Sequence, residues 1–308
     1  MSKSTISTFQ LFERFPDEAS ARTYLESRLW PDGPRCPQCG GSALTPRPNG
    51  FYRCNPCGKF TFNVREGTIF GRSKIPLNKW VYAMYMVVTA RKGISSLQLA
   101  KQIGVTQKSA WFMLQRLREA CSGIDLDKLR GEVEIDETFV GGLEANKHEH
   151  KKLKQGRGAV GKTPVIGMRE RGEGGRTKAL VLDSMDMGTV KELIHANIEV
   201  GTQLYTDEFG AYNDLDGLFF RHDTVNHSAK EFVRGAAHTN GIESVWAVFK
   251  RGVHGVWHHV SPKHLGRYVD EATFRLNAGR VQVHTLRRLD ALVDAVAGKR
   301  ITYAEVIA

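Results

Sequence analysis

Three acids far apart in the chain, Asp136, Asp207 and Glu243, and four cysteines, Cys36, Cys39, Cys54 and Cys57, have the types and spacing to do chemistry. Carboxylates that converge repel one another unless a cation neutralises them. Mg²⁺ takes oxygen ligands and keeps several waters, which suits carboxylates facing a phosphate. Two such ions, roughly 3.5–4 Å apart, activate an attacking oxygen and stabilise a leaving one, which is in-line displacement at a phosphodiester. Asp136 would bridge the ions, and Asp207 and Glu243 would each hold one. Lys250 follows Glu243 by seven residues, two helical turns, so one face carries both and the ammonium can hold a phosphate. The competing reading is an edge strand of solvated acids and a solvated lysine.

The cysteines form two CxxC pairs, CPQCG and CNPCG, with fourteen residues between Cys39 and Cys54. Each pair makes a tight knuckle, and the glycine after it permits the positive φ such a turn needs. Two knuckles give four thiolates to one tetrahedral Zn²⁺. Such an ion is structural, replacing a core too small to fold alone. A redox-active pair is the weaker alternative.

These residues must be positioned by regular elements. In Gly131–Gly142 Glu132, Glu134 and Asp136 alternate with Val133 and Ile135, a strand period ending at two glycines. Strands are expected at 130–139, 163–169, 178–182, 203–207 and 221–225, and helices at 188–198, 208–215, 239–251 and 262–276. Three strands, helix, strand, helix, strand, helix is an α/β, ribonuclease-H-like layout of the retroviral-integrase type. It places the first and fourth strands side by side, with Asp136 near Asp207. Before it, a helix over 77–89 precedes a capped helix closed by Gly104 and a second one opening at Thr106. That is a helix-turn-helix shape, with Thr106, Gln107, Lys108 and Ser109 where DNA contacts would fall. A plain helical hairpin is the alternative. Four regions follow: 1–70, an N-terminal helix and zinc ribbon; 71–128, the helix-turn-helix region; 129–280, the catalytic domain; and 281–308, a helical tail.

The chain has 308 residues, 44 Lys and Arg against 33 Asp and Glu, and a formal charge of +11. Such a charge favours a polyanionic partner, most often nucleic acid. The glycine-rich segment 141–162 contributes Lys151, Lys152 and Lys154, either solvated or ordering on phosphates, and Arg251 extends the basic surface beyond Lys250. No apolar run spans a bilayer and no signal peptide opens the chain, so a cytoplasmic, nucleoid-associated protein without membrane contact is expected.

With EIDETFVGG, YTDEFGAY and HTNGIESVWAVFKRGVHGVWHHVSPKHLGRY following CPQCG and CNPCGKFTFNVREGTIF, the sequence resembles the zinc-ribbon-bearing DDE transposases of bacterial insertion sequences from about residue 10 to about residue 280. The resemblance implies nicking at element ends, release of 3′-hydroxyls and their attack on target DNA. It also implies Mg²⁺ or Mn²⁺ as cofactor and a homo-oligomer on paired ends. Carried over, Asp136 and Asp207 match the two aspartates and Lys250 the following lysine. The third position varies among Glu, Asn and His in this branch. Glu243 is favoured for its charged oxygen and its step to Lys250, with Asn240 the competitor and His238 a distant third. Two other classes compete: a zinc-ribbon DNA-binding regulator with an inactive domain, and a nuclease of the same fold that cuts without joining.

Overall fold

A computed structural model of the chain describes residues 5–58, 60–124, 127–142, 144–153, 159–212, 221–225 and 237–308. The chain divides into two compact units, one of residues 1–124 with 278–308 and one of residues 125–277.

The first unit opens with helices α1 (Thr8–Arg14) and α2 (Glu18–Leu29), each started by a reciprocal capping box, at Ser7 with Gln10 and at Asp17 with Ser20. Strands β1 (Leu44–Arg47), β2 (Phe51–Cys54) and β3 (Thr61–Phe62) form an antiparallel sheet in that order. Strand β3 is short because turns take over from Val64. Tyr52, Cys54 and Phe62 point inward with Cys36 and Trp30, a cluster too small to hold a domain by apolar burial alone. Helix α3 (Leu77–Thr89) is buried nearly all round, whereas α4 (Ser96–Ile103) and α5 (Gln107–Cys121) are joined by a short turn through Gly104.

The second unit is built on strands β4 (Glu132–Val140), β5 (Thr163–Glu170) and β6 (Thr177–Val181), then helix α6 (Met187–Asn197), strands β7 (Gln203–Thr206) and β8 (Arg221–Thr224), and helices α7 (Asn240–Gly252) and α8 (Pro262–Leu276). The expected helix over 208–215 is a short 3₁₀ turn at Gly210–Tyr212 in its described part; 213–220 lies outside the described residues. Sheet order is β6-β5-β4-β7-β8, with β4 antiparallel to β5 and parallel to β7. Val133, Ile135, Ile166, Met168 and Leu204 pack on one face with Val190 and Ile194 of α6. Val165 packs on the other with Ile242, Val245, Trp246 and Phe249 of α7 and with Leu265 and Val269 of α8. The result is a three-layer α/β/α unit with β4 at its centre. Helix α9 (Thr285–Asp294) packs against α2 and α3 in the first unit, where the buried Arg288 donates to the Val88 carbonyl at 2.6 Å, and α10 (Tyr303–Ile307) ends the chain. Among the described residues no helix is long and apolar enough to cross a membrane.

Helix α7 lies so close to the sheet that a Cβ on Gly167 would meet Trp246 Cζ2 at 2.4 Å. Gly167→Ala is therefore expected to destabilise the second unit by about 1–3 kcal/mol through overpacking. Thermal melting that leaves this variant as stable as the parent would contradict the close approach.

Candidate functional site

The pairing of β4 with β7 runs Glu132 to Gln203, Val133 to Leu204 and Glu134 to Tyr205. Two residues further along each strand, this register sets Asp207, just past the end of β7, level with Asp136. Oxygens of Asp136, Glu137 and Asp207 lie within 4.8 Å of one another. Glu137 was not foreseen as part of this group. Strand alternation sends it to the face opposite Asp136, and there its Oε2 accepts the Tyr212 hydroxyl at 2.9 Å. Asp207 sits beyond its strand, where both faces are within reach, and its Oδ1 accepts the Phe209 N–H at 3.0 Å.

Burial raises the Asp136 carboxyl, and the charges of Glu137, Asp207 and Glu243 add to it, so that it titrates at about 7. Glu137 is raised by burial and by Asp207. The Tyr212 hydroxyl is held well above its ordinary value, by burial first and then by Glu137. These groups cannot all carry charge comfortably without a cation among them, which is the condition a divalent metal relieves.

Glu243 and Lys250 are both exposed on α7, together on one flank of the buried stripe of Ile242, Val245, Trp246 and Phe249. Glu243 is close enough to act on Asp136, and its Oε1 accepts the Thr239 hydroxyl at 3.0 Å, but it stands outside the 4.8 Å cluster. Asn240 is exposed at the first position of the helix.

A second acid escapes sequence reasoning. Glu134 shares the strand face of Asp136 yet is 1% exposed. It accepts the Ile242 N–H of α7 at 2.9 Å and Arg171 Nε at 2.9 Å, and His238 Nδ1 lies 3.3 Å away. Arg171 also donates to the His238 carbonyl at 2.6 Å and stacks 3.6 Å from the centre of the Tyr205 ring. A Cβ on Gly241 would stand 2.7 Å from Glu134 Oε2, so a side chain there would push the carboxylate off the helix end. The anion is thus met by a helix N-terminus and a guanidinium.

In the first unit, ligand atoms of Cys36, Cys39, Cys54 and Cys57 also lie within 4.8 Å of one another. Burial raises the Cys36 thiol, but the backbone N–H groups of Gln38 and Cys39 outweigh it and bring it to about 7. Cys57 is pushed up to about 12 by hydrogen bonds with Cys39 and Cys54. Four thiols this close ionise together only around a cation, and the all-sulfur donor set fits Zn²⁺.

The other predicted contact residues are more engaged. Thr106 caps α5 by accepting the Ser109 N–H, Gln107 donates to Ser96, and the Lys108 ammonium lies 4.6 Å from the Tyr303 ring centre. Lys152 pairs with Glu149 at 2.9 Å, Lys151 ends a 3₁₀ turn, Arg251 is exposed in the last turn of α7, and Lys154 lies outside the described residues.

Residues 128–277 match the ISXO2-like transposase domain and residues 16–60 the transposase zinc-ribbon domain. By these two domain matches the chain is similar to the zinc-ribbon-bearing DDE transposases of insertion sequences. It is 29% identical over 287 residues to an uncharacterized protein in transposable element ISH50 of Halobacterium salinarum, covering 89% of this chain and 93% of that protein. It is 27% identical over 112 residues to an uncharacterized transposase-like protein of Haemophilus influenzae, covering 36% of this chain and 89% of that one. The ribonuclease-H-like fold expected from the strand order agrees with the family domain.

Asp136 and Glu134 should respond oppositely to neutralisation. The folded Asp136 pKa of about 7 lies above the ordinary 3.8, so the native state holds a proton that the unfolded chain has released between those values. Its contribution to stability therefore falls as pH rises through that window. In chelator at pH 8, Asp136→Asn is expected to stabilise by on the order of 2 kcal/mol, with no gain below pH 4. Glu134→Ala should cost about 3 kcal/mol or more at either side of neutrality, since Arg171 and the helix end lose their anion. Denaturation curves of both variants against pH decide this, and equal signs at pH 8 would refute the assignment.

Proposed function

We propose that the protein is an insertion-sequence transposase that binds the ends of its element and catalyses metal-dependent DNA cleavage and strand transfer. The observation that carries this reading is the convergence of Asp136, Glu137 and Asp207 at the end of the central strands, within the electrostatic reach of Glu243. Two Mg²⁺ or Mn²⁺ ions would supply Lewis acidity for in-line displacement at phosphorus. Asp136 would offer oxygens to both ions, and Asp207 and Glu243 to one each. Asn240, a neutral oxygen one turn earlier, is the alternative to Glu243. Glu137 stands as an additional carboxylate held in place by the Tyr212 hydroxyl. Lys250, one helix face along from Glu243, would hold a phosphate of the scissile strand.

The remaining assignments follow the same chemistry. Cys36, Cys39, Cys54 and Cys57 would hold a structural Zn²⁺ that orders the ribbon. The start of α5, with Thr106, Gln107, Lys108 and Ser109, would meet DNA as the second helix of a helix-turn-helix. The later part of that helix is buried, and Arg116 there donates to the Ile69 and Gly71 carbonyls, so only the first turns could enter a groove. Lys151, Lys152, Lys154 and Arg251 would add phosphate contacts. Two copies on paired ends would complete the assembly.

Asp136→Asn and Asp207→Asn are expected to keep DNA binding and to lose 3′-end release in Mg²⁺ by more than the 10–100-fold typical of changes in outer-shell partners, roughly a thousandfold. The substrate is a labelled duplex carrying the DNA that flanks the gene on either side, and release at the parental rate would sink the reading. Glu243→Gln should approach that loss, whereas Asn240→Ala should cost less than about tenfold. Pre-cleaved ends that the parent protein fails to join to target DNA would instead identify a nuclease without transfer activity.

A further inference from the structure

The outward face of the ribbon sheet has no role in the reading above. Strand alternation on β2 turns Tyr52 and Cys54 inward and leaves Phe51 and Arg53 outward. Arg47 of β1 stands directly opposite Phe51, and Thr61 of β3 opposite Arg53. Together with Pro48 these residues line a hollow of about 350 Å³, and Phe51 is 41% exposed on it. Arg53 Nε donates to the Gly58 carbonyl at 2.8 Å, which fixes the plane of its guanidinium. From below, the Arg22 side chain fills the space under Gly50 at the hairpin tip, so the face is backed by α2.

We propose that this face grips an unpaired DNA strand, with a base stacked on Phe51 and the adjoining phosphates held by Arg47 and Arg53. Charge complementarity identifies the occupant as a polyanion. Between Asp32 and Glu66 the chain carries five Lys and Arg and no acid. Four thiolates around one divalent ion would leave two negative charges, and the segment would remain positive. An exposed ring between two cations on a sheet is a stacking platform, and stacking tolerates any base because every base has a π-face. Duplex DNA keeps its bases stacked on each other and offers none to Phe51, whereas a frayed or displaced strand does. The identity of the polyanion as DNA rests on the proposed function; the existence of the site does not.

The test uses the full-length, zinc-loaded protein and fluorescence anisotropy with a short labelled strand, alone and annealed to its complement. Phe51→Ala is expected to weaken single-strand binding about tenfold or more, leave duplex binding unchanged and preserve the salt dependence. Phe51→Leu, which keeps apolar bulk but lacks the ring, should behave the same way and guards against a ribbon that fails to fold. Arg47→Gln with Arg53→Gln should lower the slope of log K against log salt by about 1.4, at about 0.7 per phosphate on a single strand. Zinc content equal to the parent's confirms folding. Parental single-strand affinity in both Phe51 variants, an equal loss on duplex, or an unchanged slope in the arginine variant overturns the proposal. Mg²⁺-dependent cleavage by the parent protein is scored alongside: its absence fails the catalytic reading and leaves the ribbon result standing.

Discussion

The parallel pairing of β4 with β7 is the constraint on which the site depends. Its register is held by Val133 and Leu204, paired residues that are both fully buried against α6. A slip of one residue would turn Leu204 out of the core and move Asp207 out of level with Asp136. Burial of a few aliphatic side chains therefore fixes the separation of carboxylates that would otherwise drift apart under mutual repulsion. The antiparallel pairing with β5 does the same on the other side, placing the small Gly167 beside Asp136 so that the Trp246 ring can pack there.

Glu134 and Asp136 show how environment rather than residue type sets the fate of an acid. Both lie on one face of one strand. Glu134 is the more deeply buried, yet the chain meets its charge with the Ile242 N–H and Arg171. Asp136 is surrounded by Glu137, Asp207 and Glu243, and its carboxyl is pushed up to about 7. Among the described residues a counter-charge faces the first, whereas the charges that act most on the second are those of other acids. Only the second has use for a cation from solution, so the chemical site begins where the internal neutralisation stops.

Much of this was legible in the sequence. Helical periodicity delimited Leu77–Thr89 and Pro262–Leu276 as they occur, and the strand order placed Asp136 beside Asp207. The two CxxC pairs announced their cluster because the donor spacing is itself the signal. Glu137 was missed for a physical reason: alternation assigns it to the other face, and a one-dimensional pattern does not say that a neighbouring strand ends early enough for Asp207 to serve both faces. Glu134 was missed because an alternating acidic face looks solvated until one knows which helix covers it. The only trace in the sequence was Gly241, whose missing side chain leaves room for the carboxylate.

Helix α7 joins these two considerations. Its buried stripe, Ile242, Val245, Trp246 and Phe249, packs against the sheet, while Glu243 and Lys250 share the exposed side. Because Trp246 rests over Gly167, the strand partner of Asp136, the packing contact that holds the helix is one strand removed from the first acid. Its N-terminus is tied at the same time through Ile242 to Glu134, two residues along β4 from Asp136. Two attachments to one strand region, one apolar and one ionic, leave the helix little freedom to rotate about its axis. The position of Glu243 relative to Asp136 is therefore set by core packing, and Glu243 can remain exposed to meet a ligand without being loosely placed.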